Sequence, residues 1–135
     1  MKKSKLQKNK DNPRSKYWKT KADGLWGAII HHIYPICIVN DDCKGRVEAH
    51  HLIGRANTHT RHSVENGVGL CSLHHKFSNQ LSAHGAPLAF SEWLQDNYPD
   101  KWNWCSKNKF KSVKPDYEAA YGLLLEYCIE NHINV

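Results

Sequence analysis

Apolar residues recur at the helical period early in the chain. The positions that share this period are Leu25, Trp26, Ile29, Ile30 and Ile33. They predict an amphipathic helix, and Thr20, followed three residues later by Asp23, predicts its N-cap. Pro35 ends the helix, because the residue before a proline avoids the α region.

Two short β-like runs occupy the middle of the chain. Residues 46 to 53 (RVEAHHLI) form the first run, and a polar loop over residues 54 to 63 follows it. Residues 65 to 70 (ENGVGL) combine an Asn-Gly turn signal with a second short strand. These patterns predict a small β element between helical segments.

Helical patterns fill the rest of the chain. One helix is predicted from Ser72 to about Leu81, and another begins at Pro87, since proline suits the first helical position. A last helix starts near Pro115, and one face of it carries Tyr117, Tyr121, Leu124, Leu125 and Cys128. The predicted fold class is α+β with little sheet, flanked by N- and C-terminal helices.

Charge is concentrated at the N-terminus. Residues 1 to 21 hold nine Lys or Arg and one acid, a charge of +8, whereas the remaining ten basic and twelve acidic residues give −2. Residues 1 to 18 lack apolar periodicity, which predicts a flexible basic arm. Such an arm is either a solvated leader or a contact for nucleic-acid phosphates, and Lys16 and Lys19 are the candidate contacts.

The five cysteines point away from a disulfide framework. Five is an odd number, and the chain shows neither a secretory signal nor an apolar run of membrane-spanning length. These features predict a cytoplasmic protein, in the host cytoplasm if a phage encodes it, without a membrane partner. Disulfides are rare in that compartment.

Four of the potential ligands have the spacing of a structural zinc site. Cys37 and Cys43 form one hook, and Cys71 with His74 forms the second. Zinc prefers four thiolate or imidazole ligands from two short hooks. The sequence therefore predicts one structural Zn²⁺ that stabilises a small domain.

The remaining histidines of the two doublets predict a second, hydrolytic site. Neighbouring residues on a helix point about 100° apart, so His75 faces away from His74, and Asn79 four residues on shares its face. Alternation along a strand likewise separates His50 from His51. One of these two rings is then free to bind a metal and the other to act on water.

These segments, AHHLIGR and SVENGVGLCSLHH, resemble the HNH endonucleases of the small phage type, which have a ββα-metal core. The similarity covers residues 37 to 84, with residues 85 to 135 as a helical extension of a single nuclease domain over residues 19 to 135. Many members also carry a four-cysteine zinc site. Here His74 and the longer spacing from Cys37 to Cys43 replace two of its usual features.

The resemblance assigns a role to each motif residue. His50 and His75 would bind a catalytic divalent ion (Mg²⁺, Mn²⁺, Ni²⁺ or Zn²⁺), and either Asn79 or His84 would complete its shell. His51 would be the general base, and Asn66 would orient the loop that holds it. The expected reaction is hydrolysis of DNA phosphodiesters to 5′-phosphate and 3′-hydroxyl ends.

Other features leave alternatives open. Arg55 and Arg61 flank the polar loop and are either phosphate contacts or solvated side chains. The same zinc site and basic arm also suit a non-catalytic nucleic-acid-binding module, and only the pair His51 and His75 separates the two functions. The oligomeric state, monomer or homodimer, is not indicated.

Overall fold

The structure is a computed structural model that describes residues 2–135. Five α-helices and two strands lie in this range. The helices are α1 (Lys5–Asp11), α2 (Lys16–Ile33), α3 (Pro87–Asn97), α4 (Pro99–Asn108) and α5 (Tyr117–Glu130), and the strands are β1 (Val47–His51) and β2 (Gly67–Cys71). The expected α+β class with little sheet is confirmed. Among these residues no helix combines the length and apolarity that a bilayer crossing requires.

The two strands pair antiparallel in a register that fixes the histidines. Val47 lies opposite Cys71 at one end, and His51 lies opposite Gly67 at the other. Gly67 is required there, because a side chain would collide with Trp26 and Ile30 of α2. The hairpin is thus pressed directly onto α2, and a one-residue slip would exchange its faces.

Two apolar clusters cover the two faces of the hairpin. Between α2 and α5 lie the buried residues Ala22, Trp26, Ile29, Ile30, Leu124 and Cys128. On the other side, α3 packs against β2 and the first cysteine hook, where Cys37, Ile38, Val68, Leu70, Cys71, Phe90 and Leu94 are buried. A two-stranded hairpin is marginal alone, so both layers are needed to stabilise it.

The N-terminal segment, expected to be a flexible arm, contains the helix α1, and its flexibility stays a prediction. Ser4 caps α1 by accepting a hydrogen bond from the backbone of Gln7, although α1 buries no residue. The carbonyl of Pro13 accepts the first N–H groups of α5, from Tyr117 and Glu118. Thr20 lies inside α2, which begins after Ser15, so the N-cap prediction is wrong. The hydrogen bonds to Pro13 join the N-terminal segment to α5. The pattern of apolar residues gives no sign of such bonds. The domain boundary at residue 18 remains a prediction.

Two helical predictions fail in detail. The helix expected over residues 72–81 is a single π-helical turn, Leu73–Phe77. It stops at Ser78, whose hydroxyl accepts the N–H groups of Gln80 and Leu81 and turns the chain. On α5, Leu125 is 41% exposed rather than part of the core face.

An ion pair anchors the loop after β1 to α2. Arg61 donates two hydrogen bonds to Asp23, Nε to Oδ1 at 2.9 Å and Nη2 to Oδ2 at 2.8 Å, and His62 lies 2.7 Å from Oδ1. Burial alone would raise the pKa of Asp23, but the hydrogen bonds from Arg61 and His62 outweigh it and lower that pKa. Burial lowers the pKa of His62, so its neutral ring donates to the carboxylate.

We expect Asp23→Asn to lower the free energy of unfolding by about 1–3 kcal/mol at pH 7, because it leaves the buried Arg61 poorly paired. Because the pKa of Asp23 is lower in the folded protein than its unfolded value of about 3.9, the ionised carboxylate stabilises the folded state above that pH. This contribution is lost as the pH falls through the folded-state pKa. The difference in the free energy of unfolding between Asp23→Asn and wild type, measured by urea titration, should therefore shrink as the pH falls from 5 to 3. Asp11→Asn, at an exposed ion pair with Lys3, is the matched control and should change little. A difference independent of pH would contradict the assigned charge.

Candidate functional site

The four predicted zinc ligands lie together at one end of the hairpin. Their ligand atoms are all within 4.8 Å of one another. His74 Nδ1 is 3.7 Å from Cys37 Sγ, 3.7 Å from Cys43 Sγ and 3.2 Å from Cys71 Sγ. Tetrahedral zinc, with bonds of about 2.3 Å to sulfur and about 2.0 Å to nitrogen, separates such atoms by about 3.6 Å. The site therefore fits a structural zinc ion with no open position.

Backbone geometry closes the long first hook. Asn40 and Asp42 have positive φ, 49° and 51°, a conformation that these residue types tolerate better than most. Gly45 follows with a φ of 85°, and a side chain there would lie 2.6 Å from Ser72. The five intervening residues can thus fold back and bring Cys43 to the cluster.

The electrostatics of the three thiols favour a bound cation. Burial, together with the neighbouring Cys37 and Cys71, raises the pKa of Cys43 to about 11. Burial opposes ionisation of Cys71 too, but backbone N–H groups of His74 and Lys44 outweigh it and lower the pKa of Cys71. Three sulfurs this close cannot all be thiolates without a compensating positive charge, which a zinc ion would supply.

A second cluster contains His50, His75 and His84. Their ligand nitrogens are also within 4.8 Å of one another, and the ring centroids of His50 and His75 are 4.9 Å apart. The chain reverses after the π-helical turn, so that His84 N–H donates to the carbonyl of His75 at 2.9 Å. Three imidazoles at this spacing could together hold a metal ion.

The environment prepares two of these rings for metal binding. Burial is the main cause that lowers the pKa of His50 to about 3, and the nearby His75 and His84 add to it. His75 Nδ1 lies 3.3 Å from Glu48 Oε1, an arrangement that orients a ligating imidazole and leaves Nε2 free. Burial lowers the pKa of His75 despite the opposing effect of Glu48. Neutral rings are the form that binds metal.

Of the two residues expected to complete this shell, only His84 lies at the cluster. Asn79 was placed on the face of His75 by a helix that ends at Phe77. It is exposed and does not line the cleft that the histidines form. The helical argument for Asn79 is therefore lost, and its place in the metal shell stays a prediction.

His51 occupies the opposite side of β1 from His50, as strand alternation predicts. Its ring stacks on Trp26, with centroids 3.7 Å apart and an interplanar angle of 12°. His51 Nε2 is 2.9 Å from the carbonyl oxygen of Arg61. Because a carbonyl only accepts, Nε2 carries the hydrogen and Nδ1 keeps the lone pair. Burial lowers the pKa of His51 to about 4, so the ring is neutral near pH 7.

Asn66 braces the loop that supplies this carbonyl. It is fully buried, and its Oδ1 accepts from Ile53 N at 2.7 Å. Its Nδ2 donates to Ile53 O at 2.9 Å and to Thr60 O at 3.1 Å. One amide therefore ties both ends of the loop over residues 53–60, next to the carbonyl that holds His51.

The histidines open onto a cleft of about 360 Å³, which we call the histidine cleft. It is lined by Ala49, His50, His51, Gly54, Arg55, His75, Lys76 and His84. The exposed Arg55 remains a candidate phosphate contact here. Arg61 does not, because its guanidinium is buried and paired with Asp23, which corrects the expectation of either a phosphate contact or a solvated side chain.

The predicted contacts Lys16 and Lys19 line a separate basic cleft of about 380 Å³ with Arg14, Thr20, Asp23 and Tyr117. Asp23 also belongs to the ion pair with Arg61, whose carbonyl holds His51. The basic cleft and the loop that positions His51 are therefore joined through one side chain.

Sequence reasoning missed three contributors to the site. Trp26 was assigned only to a helix face, Glu48 was not considered, and the Arg61 carbonyl has no sequence signal. The position of Glu48, two residues before His50 on a strand, placed both on one face and was the only usable clue.

Cys71→Ser should release the zinc ion and unfold the domain, because metal binding at such a site contributes folding free energy directly. Metal content by mass spectrometry and the midpoint of thermal unfolding measure the two effects. Cys105→Ser, a cysteine outside the cluster, is the control and should keep both. A wild-type protein that holds no tightly bound zinc would exclude this site.

Comparison with known proteins adds no further identification. No protein-family model, no curated protein and no solved structure matches this chain. The resemblance to HNH endonucleases therefore rests on the residues of this chain, and its function has to be argued from the geometry of the two clusters.

Proposed function

We propose that this protein is a metal-dependent DNA endonuclease of the HNH type, in which strands β1 and β2 and the following π-helical turn form a reduced ββα core. One observation carries the proposal. A neutral His51, with its lone pair on Nδ1, lines the same cleft as a three-histidine cluster with metal-binding spacing. Nucleic-acid binding alone requires neither group.

His51 would act as the general base. With Nε2 bonded to the Arg61 carbonyl, Nδ1 is the atom that takes a proton from a water in line with the scissile phosphorus. Stacking on Trp26 fixes the plane of the ring, and Asn66 fixes the loop that provides the carbonyl. A general base held in this way is already oriented for proton transfer before the substrate binds.

His50, His75 and His84 would hold the divalent ion, with Glu48 orienting His75. When bound, such an ion stabilises negative charge on the phosphate and on the leaving 3′ oxygen. Imidazole ligands suit Mn²⁺, Ni²⁺ or Zn²⁺, and Mg²⁺ is the harder alternative. The products would carry 5′-phosphate and 3′-hydroxyl ends.

The basic cleft would bind the DNA backbone away from the cut. Lys16 and Lys19 face it, and Lys19 Nζ lies 5.9 Å from the Tyr117 ring centroid. The hydrogen bonds from Asp23 through Arg61 to His51 would couple this cleft to the position of the base.

The second candidate is a zinc-stabilised nucleic-acid-binding module without catalysis. The zinc site and the basic cleft favour it equally. A binding module does not explain why the His51 ring is fixed by Trp26 and by the Arg61 carbonyl while Nδ1 stays free. Catalysis is therefore the better proposal.

Wild-type protein should nick supercoiled plasmid in Mn²⁺ or Mg²⁺, and His51→Ala should lower the rate by about 10²–10⁴-fold, the usual contribution of a general base. Zinc content and the unfolding midpoint are measured on the same samples to show that the variant is folded. His32→Ala, at an exposed histidine on α2, should cleave like wild type. Undiminished cleavage by His51→Ala would remove His51 from the role of base.

Lys16→Ala with Lys19→Ala should weaken DNA binding and reduce the slope of log K against log salt by about 2, since each lost phosphate contact removes about 0.9. Fluorescence anisotropy at several salt concentrations measures this. The control pair Lys44→Ala with Lys114→Ala removes the same charge from exposed positions outside the basic cleft. Equal slopes for the two double variants would mean that the basic cleft does not contact DNA.

A further inference from the structure

A second cavity adjoins the proposed active site, between β1 and helices α3 and α4. Its volume is about 500 Å³, and His50, His51 and His84 line both this cavity and the histidine cleft. The two spaces therefore lie against the same three imidazole rings. The proposed mechanism of hydrolysis does not use this second cavity.

Aromatic rings, aliphatic side chains and a few polar groups form its walls. Phe90 of α3 is buried and lies edge-on to His50, with ring centroids 6.1 Å apart. Trp102 of α4 is half-buried, and the lining also includes the hydroxyls of Ser91 and Ser106, the exposed Lys109 and the aliphatic side chains of Leu52, Ile53 and Leu94. Mainly apolar walls that include aromatic residues, with a small number of polar groups, suit a flat heteroaromatic ligand.

Two long-range hydrogen bonds lie near the end of α4, beside this cavity. Asn57 Nδ2 donates to the carbonyl of Lys109 at 3.1 Å, and Thr58 Oγ1 donates to the carbonyl of Val113 at 2.9 Å. These bonds tie the loop after β1 to the end of α4. Lys109, one of the residues that line the cavity, is therefore fixed through its backbone to a distant loop.

We propose that this cavity, the base cavity, receives one unstacked nucleobase next to the scissile phosphate. A base in a paired, stacked duplex must leave the stack to enter such a space, so the preferred substrate is DNA with an unpaired nucleotide at the cleavage site. Lys109 in the lining and the three imidazole rings shared with the histidine cleft favour a nucleotide over an apolar peptide. The inference rests on the proposed nuclease function.

Three DNA duplexes of equal length test this: one fully paired, one with a single bulged adenine, and one with a bulged abasic site. Affinities are measured by fluorescence anisotropy without added divalent ion, so that no cleavage occurs. The bulged adenine should bind about tenfold more tightly than the abasic bulge, since stacking of one base on aromatic side chains has roughly this effect. The abasic bulge is equally flexible and differs only in the base.

Ser91→Trp should remove this preference by filling the base cavity from its exposed rim. Gln95→Trp adds the same side chain to an exposed position of the same helix, outside the base cavity, and should keep the preference. Equal affinity for the two bulges in wild type, or a preference that survives Ser91→Trp, would overturn the inference. Plasmid nicking in Mn²⁺ is measured separately, so that a nuclease without a base preference and a base-binding protein without nuclease activity give different results.

Discussion

The antiparallel register of β1 and β2 is the constraint on which both clusters depend. It places Cys71 opposite Val47, where the cysteine hook closes, and Gly67 opposite His51, where α2 approaches. Because side chains alternate along a strand, this register also directs His50 towards α3 and His51 towards α2. A slip by one residue would disconnect the zinc ligands and exchange the roles of the two histidines.

In each histidine doublet the two adjacent rings lie in different environments and have different proposed roles. On the strand, burial lowers the pKa of both His50 and His51, yet one ring joins a metal cluster and the other stacks on Trp26. On the π-helical turn, His74 joins the thiols while His75 turns towards Glu48. The possible zinc site and the proposed catalytic metal site thus take their ligands from neighbouring residues of the chain.

The loop after β1 connects the N-terminal helices to the proposed chemistry. Asn66 ties its two ends, Arg61 anchors it to Asp23 of α2, and the carbonyl of Arg61 fixes the His51 tautomer. The same Asp23 lines the basic cleft. The carboxylate of Asp23 on α2 therefore helps to fix the loop that positions His51 in the histidine cleft.

The sequence by itself determined the local patterns: the α+β class, the two short strands, the zinc ligands and the separation of each histidine doublet. These follow from side-chain periodicity and ligand spacing, which are properties of consecutive residues. Only the tertiary structure decided that His84 joins the cluster, that Arg61 is buried against Asp23, and that Trp26 stacks on His51. Each of these depends on contacts between residues far apart in the chain, or on a backbone reversal at Ser78, and short-range patterns carry no information about either.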